Sequence, residues 1–345
     1  MKKVLACIIG FAALFSVLTS CEKKNTSGAA APAEKKVTLN FSHTMAPNSM
    51  SDMAAKKFKE LVEAKSNGSI KVNIVTNSGL SGGDLSKAIE MVGTGDIDIH
   101  AAAPTNVATF DARFYIFWMP FLFPTTQSLM NVIHNQEILD MVGQWTQKQG
   151  IKLLGIHNAG ARQISNSKGV IKTPDDLKGM NIRVPGAKLF IDCFRDSFGA
   201  NPTAMDFSEV YTALQQHTID GQENPVSVFD SSKFSEVQKY LTLWNYVRDT
   251  TGWFMSEKTW AKLSPAQQEA VSQAATEALA WADGYLDTNE KNVLQKIRDA
   301  GVTVTELSES EIQAFAEKCA PLYDSYKGTI GADVLSKFQA VAAGK

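Results

Sequence analysis

Three side chains in the middle of the chain could together hold a small organic anion. Arg183 lies in the run Asn181 to Val184, whose alternation predicts a strand with the arginine facing away from the apolar residues. Phe207 follows at the start of a predicted helix, and Asn224 lies on a predicted loop. A guanidinium is planar, permanently charged and donates in a fork that matches the two oxygens of a carboxylate. These residues therefore predict a carboxylate site.

The same arginine could instead have a structural role. Asp176 and Glu223 are both near enough in sequence to pair with Arg183 at the end of its strand. Exposed ion pairs of this kind are common and contribute little to stability, so composition and spacing alone leave both interpretations open.

The segment around these residues resembles the signature of a transport family. It reads IRVP and, further on, MDFSEVYTALQQHTIDGQENP, and the likeness extends from about Val37 to the C-terminus. We identify it with the substrate-binding proteins of TRAP transporters, the DctP family, and among them with the sialic-acid-binding branch. The resemblance implies a binding protein, not an enzyme, that captures an organic acid by hinge closure. It also implies delivery of that acid to small and large membrane subunits.

The resemblance assigns roles to individual residues. Arg183 would form a two-pronged salt bridge with the ligand carboxylate, and Arg162 and Asn224 would hold its oxygens from the sides. Phe207 would pack on the body of the ligand. Further contacts are expected from His43, Thr44, Asp84, Asn106 and Trp118.

The sequence narrows the class of ligand further. Where the sialic-acid-binding branch carries an acidic residue and an arginine, this chain has Ala103 and Asn106, which argues against sialic acid. A cleft with His43, Thr44 and Asp84 could bond hydroxyl groups. We therefore expect a sugar acid such as a uronate or aldonate, with dicarboxylates, hydroxy acids and aromatic acids as alternatives.

The elements that must position these side chains indicate an α/β fold. A helical pattern begins at Ser264-Pro265 and meets no stop before Gly301. At 1.5 Å per residue this helix reaches roughly 54 Å, more than the width of one small domain. With the resemblance, we expect a two-lobed periplasmic binding protein fold with a hinge and a long helix that spans both lobes. Lobe I would contain 37–159 and 250–288, and lobe II would contain 160–249 and 289–345.

The N-terminus indicates export. Lys2-Lys3 and the apolar run Val4 to Leu18 predict a secretory signal that is too short to span a bilayer comfortably. Leu18-Thr19-Ser20-Cys21 resembles a bacterial lipobox, although an ordinary signal peptide with a chance cysteine is the alternative. We expect a lipoprotein signal peptide over 1–20, and a lipidated Cys21 with a flexible tether over 21–36. The protein would then lie in the periplasm or at the cell surface, anchored to a bacterial membrane.

Composition restricts the other functions. A chain of 345 residues with 44% apolar content can bury two cores, and a net charge of −2 gives no sign of nucleic-acid binding. Five histidines in no metal-ligand pattern predict neither a metal nor another cofactor, and we expect a monomer. Cys193 and Cys319 could form a disulfide or remain buried thiols in an oxidising compartment.

Two alternative functions remain. Gly79 to Gly83 satisfies G-x-S-x-G, the nucleophile-elbow motif of serine hydrolases, with Ser81 at its centre. Polar residues (Asn73, Thr76, Asn77) interrupt the strand before it, and no second motif supplies a triad histidine or aspartate, which disfavours a secreted lipoprotein hydrolase. The other alternative is a lipid-anchored receptor domain that senses the ligand.

Overall fold

A nine-stranded mixed sheet runs through residues 34–345, the part of the chain that the computed structural model describes. Its strands are β1 (Val37–His43), β2 (Ile70–Val75), β3 (Ile99–Ala102), β4 (Ile151–Asn166), β5 (Asn181–Val184), β6 (Asn201–Ala204), β7 (Gly221–Pro225), β8 (Tyr240–Ser256) and β9 (Thr303–Glu306). The helices are α1 (Met50–Lys65), α2 (Leu85–Thr94), α3 (Thr126–Ile133), α4 (Gln136–Gln147), α5 (Lys188–Asp192), α6 (Val210–Gln215), α7 (Val226–Ser231), α8 (Glu257–Trp260), α9 (Pro265–Asp299), α10 (Glu309–Ile330) and α11 (Ala332–Ala342).

The pairing of the strands divides the sheet into two halves. The strand order is β2-β1-β3-β8-β4-β7-β5-β6, and β9 pairs with β8 off this path. Parallel pairs form both ends, with β1 between β2 and β3 at one end and β5 between β6 and β7 at the other. The long strands β4 and β8 pair with each other in antiparallel fashion and extend into both halves. They are the covalent and hydrogen-bonded connection between the halves.

The β4–β8 pairing is irregular where the halves meet. Its register shifts at three places, Leu153/Gly155, Asn158/Gly160 and Arg162/Ile164. Shifts of this kind interrupt the hydrogen-bond ladder and bend the strand locally. The connection between the halves is therefore bent next to an arginine that the sequence assigns to the site.

Helix α9 braces both halves with 35 residues. A capping box begins it, because Ser264 Oγ accepts from the Gln267 backbone and Gln267 Oε1 accepts from the Ser264 backbone, with Pro265 in the first turn. The helix packs against α1 in one half and against α7 and β9 in the other. The predicted long helix across an α/β protein is confirmed.

Aromatic packing makes the half around β1 rigid. Phe41, Phe58 and Trp253 are fully buried and meet edge to face, with ring centroids 5.1–5.5 Å apart. Such pairs add stability beyond the apolar area that they bury. Because the loop after β1 and the start of α1 line the site, this cluster supports one wall of it.

Two strands of the structure differ from the sequence prediction. The sequence predicts a strand from Gly150 to His157, whereas β4 continues to Asn166 and carries Arg162 on the strand itself. Residues 222–224, predicted as a loop, form the middle of β7 between β4 and β5. A buried central strand is normally apolar, and the polar residues of β7 conceal it from a periodicity argument.

The helical predictions after Phe207 also need correction. The sequence predicts a helix capped by the Asp206 carboxylate, but Asp206 precedes a short 3-10 turn and its side chain makes no capping hydrogen bond. The helix predicted from Pro225 to about Tyr240 ends at Ser231, because Lys233 adopts a left-handed conformation with a φ of 56°. Turns of this kind depend on tertiary contacts and leave little signal in the sequence.

Cys193 and Cys319 face each other in the interior. Cys193 follows α5, Cys319 lies on α10, and their Sγ atoms are 3.8 Å apart as free thiols. Burial raises the pKa of the Cys193 thiol well above its ordinary value. Of the two expected arrangements, a disulfide or buried thiols, the structure has the buried thiols.

The predicted signal peptide, the lipidated Cys21 and all but the last three residues of the tether lie outside the described residues. Between residues 34 and 345, no helix combines the length and the apolar character that crossing a membrane requires.

Candidate functional site

A cavity lies between the two halves of the sheet, beside the bent part of β4. Its volume, measured as the space open to the centre of a water-sized sphere, is about 80 Å³. A single water needs roughly 10–15 Å³ on this measure, so several water-sized groups fit. Among the predicted residues, Thr44, Asn106 and Trp118 line it from one half, and Arg162, Arg183, Phe207 and Asn224 line it from β4 and the other half.

Arg183 is anchored on one side and open on the other. The residue is 2% exposed, and its Nε and Nη2 atoms both donate to the carbonyl oxygen of Met205, at 3.0 and 2.7 Å. The ring centroid of Phe207 lies 5.7 Å from the guanidinium carbon, within cation–π range. Among the described residues, no carboxylate forms an ion pair with this arginine. The structural pairing with Asp176 or Glu223 is therefore not observed.

The surroundings of Arg183 destabilise its charged form. Burial lowers the pKa of Arg183 to about 10, against the opposing attraction of Glu223. The nearby charge of Arg162 lowers the pKa further. Even so, the guanidinium remains charged at neutral pH. A bound anion would compensate the charge that the protein leaves uncompensated.

Arg162 has the opposite arrangement, because the protein neutralises it. Its Nε and Nη2 atoms donate to the two carboxylate oxygens of Glu223, at 2.5 and 2.7 Å, and Nη1 donates to Asp249 at 2.5 Å. A second bond from Nη2 reaches the Glu223 carbonyl at 2.8 Å. Burial is the largest influence on this arginine, yet the two carboxylates together raise the pKa of Arg162. These contacts use most of its donors and leave part of Nη1 for a ligand.

Glu223 and Asp249 also accept hydrogen bonds from aromatic residues. Tyr246 donates to Glu223 at 2.9 Å, and the indole Nε1 of Trp118 donates to Asp249 at 2.8 Å. Neither carboxylate was predicted from the sequence as a partner of Arg162. Glu223 stands beside Asn224 in the GQENP run, which is a usable signal, whereas nothing in the sequence marks Asp249.

Asn224 and Phe207 reach the cavity from neighbouring elements. Asn224 lies on β7, where its Nδ2 donates to Gln222 Oε1 at 2.6 Å. Phe207 is half-buried in the turn after β6 and packs edge to face on Phe234. An amide and an aromatic ring thus line the cavity together with Arg183.

Two predicted residues do not line the cavity. His43 is fully buried behind the wall, with Nε2 3.5 Å from Asp52 Oδ1. Asp84 is exposed and caps α2 by accepting from the Lys87 backbone at 2.8 Å. It borders a second pocket of about 90 Å³, which shares Asn106 and Trp118 with the first. The structure therefore gives no support to His43 as a ligand contact and moves Asp84 to the adjoining pocket.

The G-x-S-x-G segment does not form a nucleophile elbow. Ser81 is buried in a short 3-10 turn, and its Oγ lies 2.7 Å from the Asp84 carbonyl and 3.0 Å from the Ser78 carbonyl. Within the described chain, neither a histidine nor a carboxylate side chain bonds this hydroxyl. A hydrolase needs such a base next to its nucleophile, so the hydrolase alternative is not supported.

The fold and the cavity define a class of protein. Two halves joined by paired strands enclose a small cavity that carries a guanidinium without an ion pair among the described residues, as in a two-lobed solute-binding protein. The family model described as DctP, bacterial extracellular solute-binding protein, family 7, matches residues 41–329. The chain belongs to this family, and it is a TRAP solute-binding protein, as the resemblance predicted.

Known relatives cover most of the chain. The 2,3-diketo-L-gulonate-binding periplasmic protein YiaO of Escherichia coli K12 is 31% identical over 280 residues, 81% of this chain and 84% of YiaO. A TRAP periplasmic solute-binding protein from Ralstonia eutropha H16, with bound (S)-2-acetolactate, has a TM-score of 0.85 and 29% identity. That comparison covers 89% of this chain and 99% of the other. The sugar acid binding protein DctPAm from Advenella mimigardefordensis, in complex with galactonate, has a TM-score of 0.84 and 30% identity over 90% of this chain and 99% of its own.

Proposed function

We propose that this TRAP solute-binding protein captures a sugar acid, such as an aldonate or a uronate, by its carboxylate group. The observation that carries the proposal is the geometry of Arg183. Its guanidinium is buried, oriented by Met205 and without an ion pair among the described residues. A ligand carboxylate supplies the missing charge in a desolvated site, where a charge-assisted pair of hydrogen bonds is strong.

The size of the cavity and the polar side chains in its wall support a sugar acid as the ligand. The first cavity and its neighbour, about 80 and 90 Å³, meet at Asn106 and Trp118. A carboxylate at Arg183 leaves space for a short polar chain toward the second pocket, which hydroxyl groups suit. Relatives whose names or bound ligands include diketogulonate and galactonate agree with this class. Ala103 and Asn106 provide no charge for a second ionic group.

Closure would occur by bending β4 and β8. The proposed lobes, 37–159 with 250–288 and 160–249 with 289–345, meet beside the Asn158/Gly160 register shift. Because α11 packs on α3 and α10 on the turn over 112–118, the C-terminal helices contact both proposed lobes. On closure, water leaves the cavity and the contacts to the carboxylate strengthen.

The location and partners follow from the family. The protein would act outside the cytoplasmic membrane as a monomer, tethered through a lipidated Cys21, and would deliver its ligand to two membrane subunits. The lipobox-like Leu18 to Cys21 supports the anchor. Metabolic labelling with a lipid precursor tests it, since Cys21→Ala should abolish the label and release the protein.

A ligand screen tests the proposed function. Thermal-shift measurements against aldonates, uronates, dicarboxylates and 2-hydroxy acids should show the largest stabilisation with a sugar acid, because bound ligand stabilises the folded state. Calorimetry then gives the affinity. Stabilisation by no organic acid, or by neutral sugars as strongly as by their acids, would contradict a carboxylate site.

A further inference from the structure

A buried histidine on the cavity wall has one ring nitrogen fixed and one without a partner. His157 is fully buried on β4 and lines the cavity. Its Nδ1 lies 2.8 Å from the carbonyl oxygen of Asn158. A carbonyl oxygen only accepts, so the proton of the ring sits on Nδ1. Nε2 is then a bare acceptor, and it has no hydrogen-bond partner among the described residues.

A threonine on the neighbouring strand also has a buried polar atom without a hydrogen-bond partner among the described residues. Thr250 is 1% exposed, pairs with Asn158 across β4 and β8, and lines the same cavity. Its Oγ1 is buried and has no hydrogen-bond partner among the described residues. Buried polar atoms are nearly always satisfied in native proteins, so two such atoms in residues that line one cavity point to a polar ligand.

The two atoms differ in what they accept as a partner. Burial lowers the pKa of His157, which keeps the imidazole neutral at pH 7 despite the charges of Asp283 and Asp249. The lone pair on Nε2 needs a donor, and an ionised carboxylate has no proton to donate. A hydroxyl group can donate to His157, and another hydroxyl can exchange a hydrogen bond with Thr250.

We propose that His157 Nε2 and Thr250 Oγ1 recognise hydroxyl groups of the ligand and thereby select hydroxylated acids over dicarboxylates and plain fatty acids. The inference rests on the proposed function, since it takes the carboxylate to be held at Arg183. A dicarboxylate would place an acceptor against an acceptor at His157, and an alkyl chain would leave both atoms unsatisfied. Sites built to bond a hydroxyl discriminate strongly against analogues that lack it.

Calorimetry with matched acids and two variants tests this selection. D-galactonate and D-gluconate are compared with hexanoate and adipate, and D-glycerate is compared with propionate. Thr250→Val and His157→Phe keep the shape of each side chain and remove its polar atoms. Each variant should weaken the hydroxylated acids by roughly 10- to 100-fold, the loss of one buried hydrogen bond, and change the affinity for hydroxyl-free acids less than about threefold.

Two control variants separate recognition from folding. Ser42 also has a buried hydroxyl without a partner among the described residues, and His100 is a buried histidine, and neither lines the cavity. Ser42→Ala and His100→Phe should leave all affinities unchanged. If His157→Phe does not fold, Thr250→Val alone decides, because removing an unpaired buried hydroxyl leaves stability nearly intact.

Each outcome of the test has a distinct meaning. Equal loss of affinity for hydroxylated and hydroxyl-free acids, or no loss in the foldable variants, overturns the roles of His157 and Thr250. Wild-type binding of hexanoate, adipate or propionate as tight as that of the hydroxylated acids overturns the selection but leaves a carboxylate-binding protein. Binding of no acid of either kind overturns the proposed function itself.

Discussion

Arg183 and the carbonyl oxygen of Met205 are joined by two hydrogen bonds, from Nε at 3.0 Å and from Nη2 at 2.7 Å. One edge of the guanidinium is therefore fixed by the backbone after β6, and the opposite edge faces the cavity. A lysine ammonium could not satisfy the carbonyl in this way and also present a planar donor pair to a carboxylate. The shape of the arginine is required as well as its charge.

Arg183→Lys should accordingly weaken binding of the acid found in the screen by about 2–5 kcal/mol, since it disrupts a buried charge pair. Isothermal titration calorimetry measures the change. Arg195→Lys is the matched control, because that arginine is half exposed and pairs with Asp196 on the surface. An affinity unchanged in Arg183→Lys would exclude the assigned role.

Glu223→Gln should destabilise the fold by about 1–3 kcal/mol, because an amide has one acceptor oxygen and leaves a buried N–H of Arg162 unsatisfied, while Asp249 still balances the charge. Chemical denaturation measures the free energy of unfolding. Glu306→Gln removes an exposed partner of Arg298 and should change stability by about 1 kcal/mol or less. Similar losses in both variants would mean that the buried network contributes no more than a surface pair.

Acid should destabilise the protein well above the range in which carboxylates titrate. Burial lowers the pKa of His100 to about 3, with a smaller effect of His43, and burial also lowers the pKa values of His43 and His157. Unfolded histidines bind a proton near pH 6.5, so the unfolded state takes up more protons as pH falls below that value. Stability is complete above pH 6.5 and falls below it, by about 2 kcal/mol at pH 5 for His100, and His43 and His157 add to the loss in the same direction.

Calorimetric melting at pH 7.5 and pH 5 tests this dependence. His100→Phe should show a smaller decrease in Tm between the two pH values than the wild type, because it has one fewer histidine to protonate on unfolding. A wild-type Tm that does not change over this interval would contradict the burial of neutral histidines.

Substitution of two glycines by alanine should change the stability of the fold in opposite directions. A Cβ atom at Gly221 would lie 2.2 Å from the Ser165 carbonyl oxygen, so Gly221→Ala must separate β7 from β4 and destabilise by about 1–3 kcal/mol. At Gly284, on the exposed side of α9, a Cβ atom meets nothing within 4 Å, and Gly284→Ala should stabilise by about 0.5–1 kcal/mol. Urea denaturation compares the two. Equal tolerance at both positions would contradict the close approach of β7 to β4.

The sequence predicts those parts of the protein that depend on local pattern. The strand with Arg183 follows from alternation, and α9 follows from its capping residues and the absence of a stop before Gly301. The binding class came from the likeness of the IRVP to GQENP segment to a known family. Each of these features is encoded within a continuous segment.

The features of the site that could not be predicted from the sequence depend on contacts between distant parts of the chain. Arg162 was expected to hold the ligand, but Asp249, on a distant part of the chain, and Glu223 neutralise it. His43 looked like a cleft residue because it ends β1, yet its side chain points into the interior. No sequence pattern marks His157, because its proposed role depends on which of its two ring nitrogens has a hydrogen-bond partner in the fold.

The three register shifts of β4 alternate along the chain with His157 and Arg162, two of the proposed ligand contacts. Each residue lies beside a shift, so a change in the curvature of β4 would reorient both side chains at once. In the proposed closure, the angle between the halves therefore sets the geometry of the contacts. An acid whose shape prevents full closure would be rejected even where every individual contact is favourable.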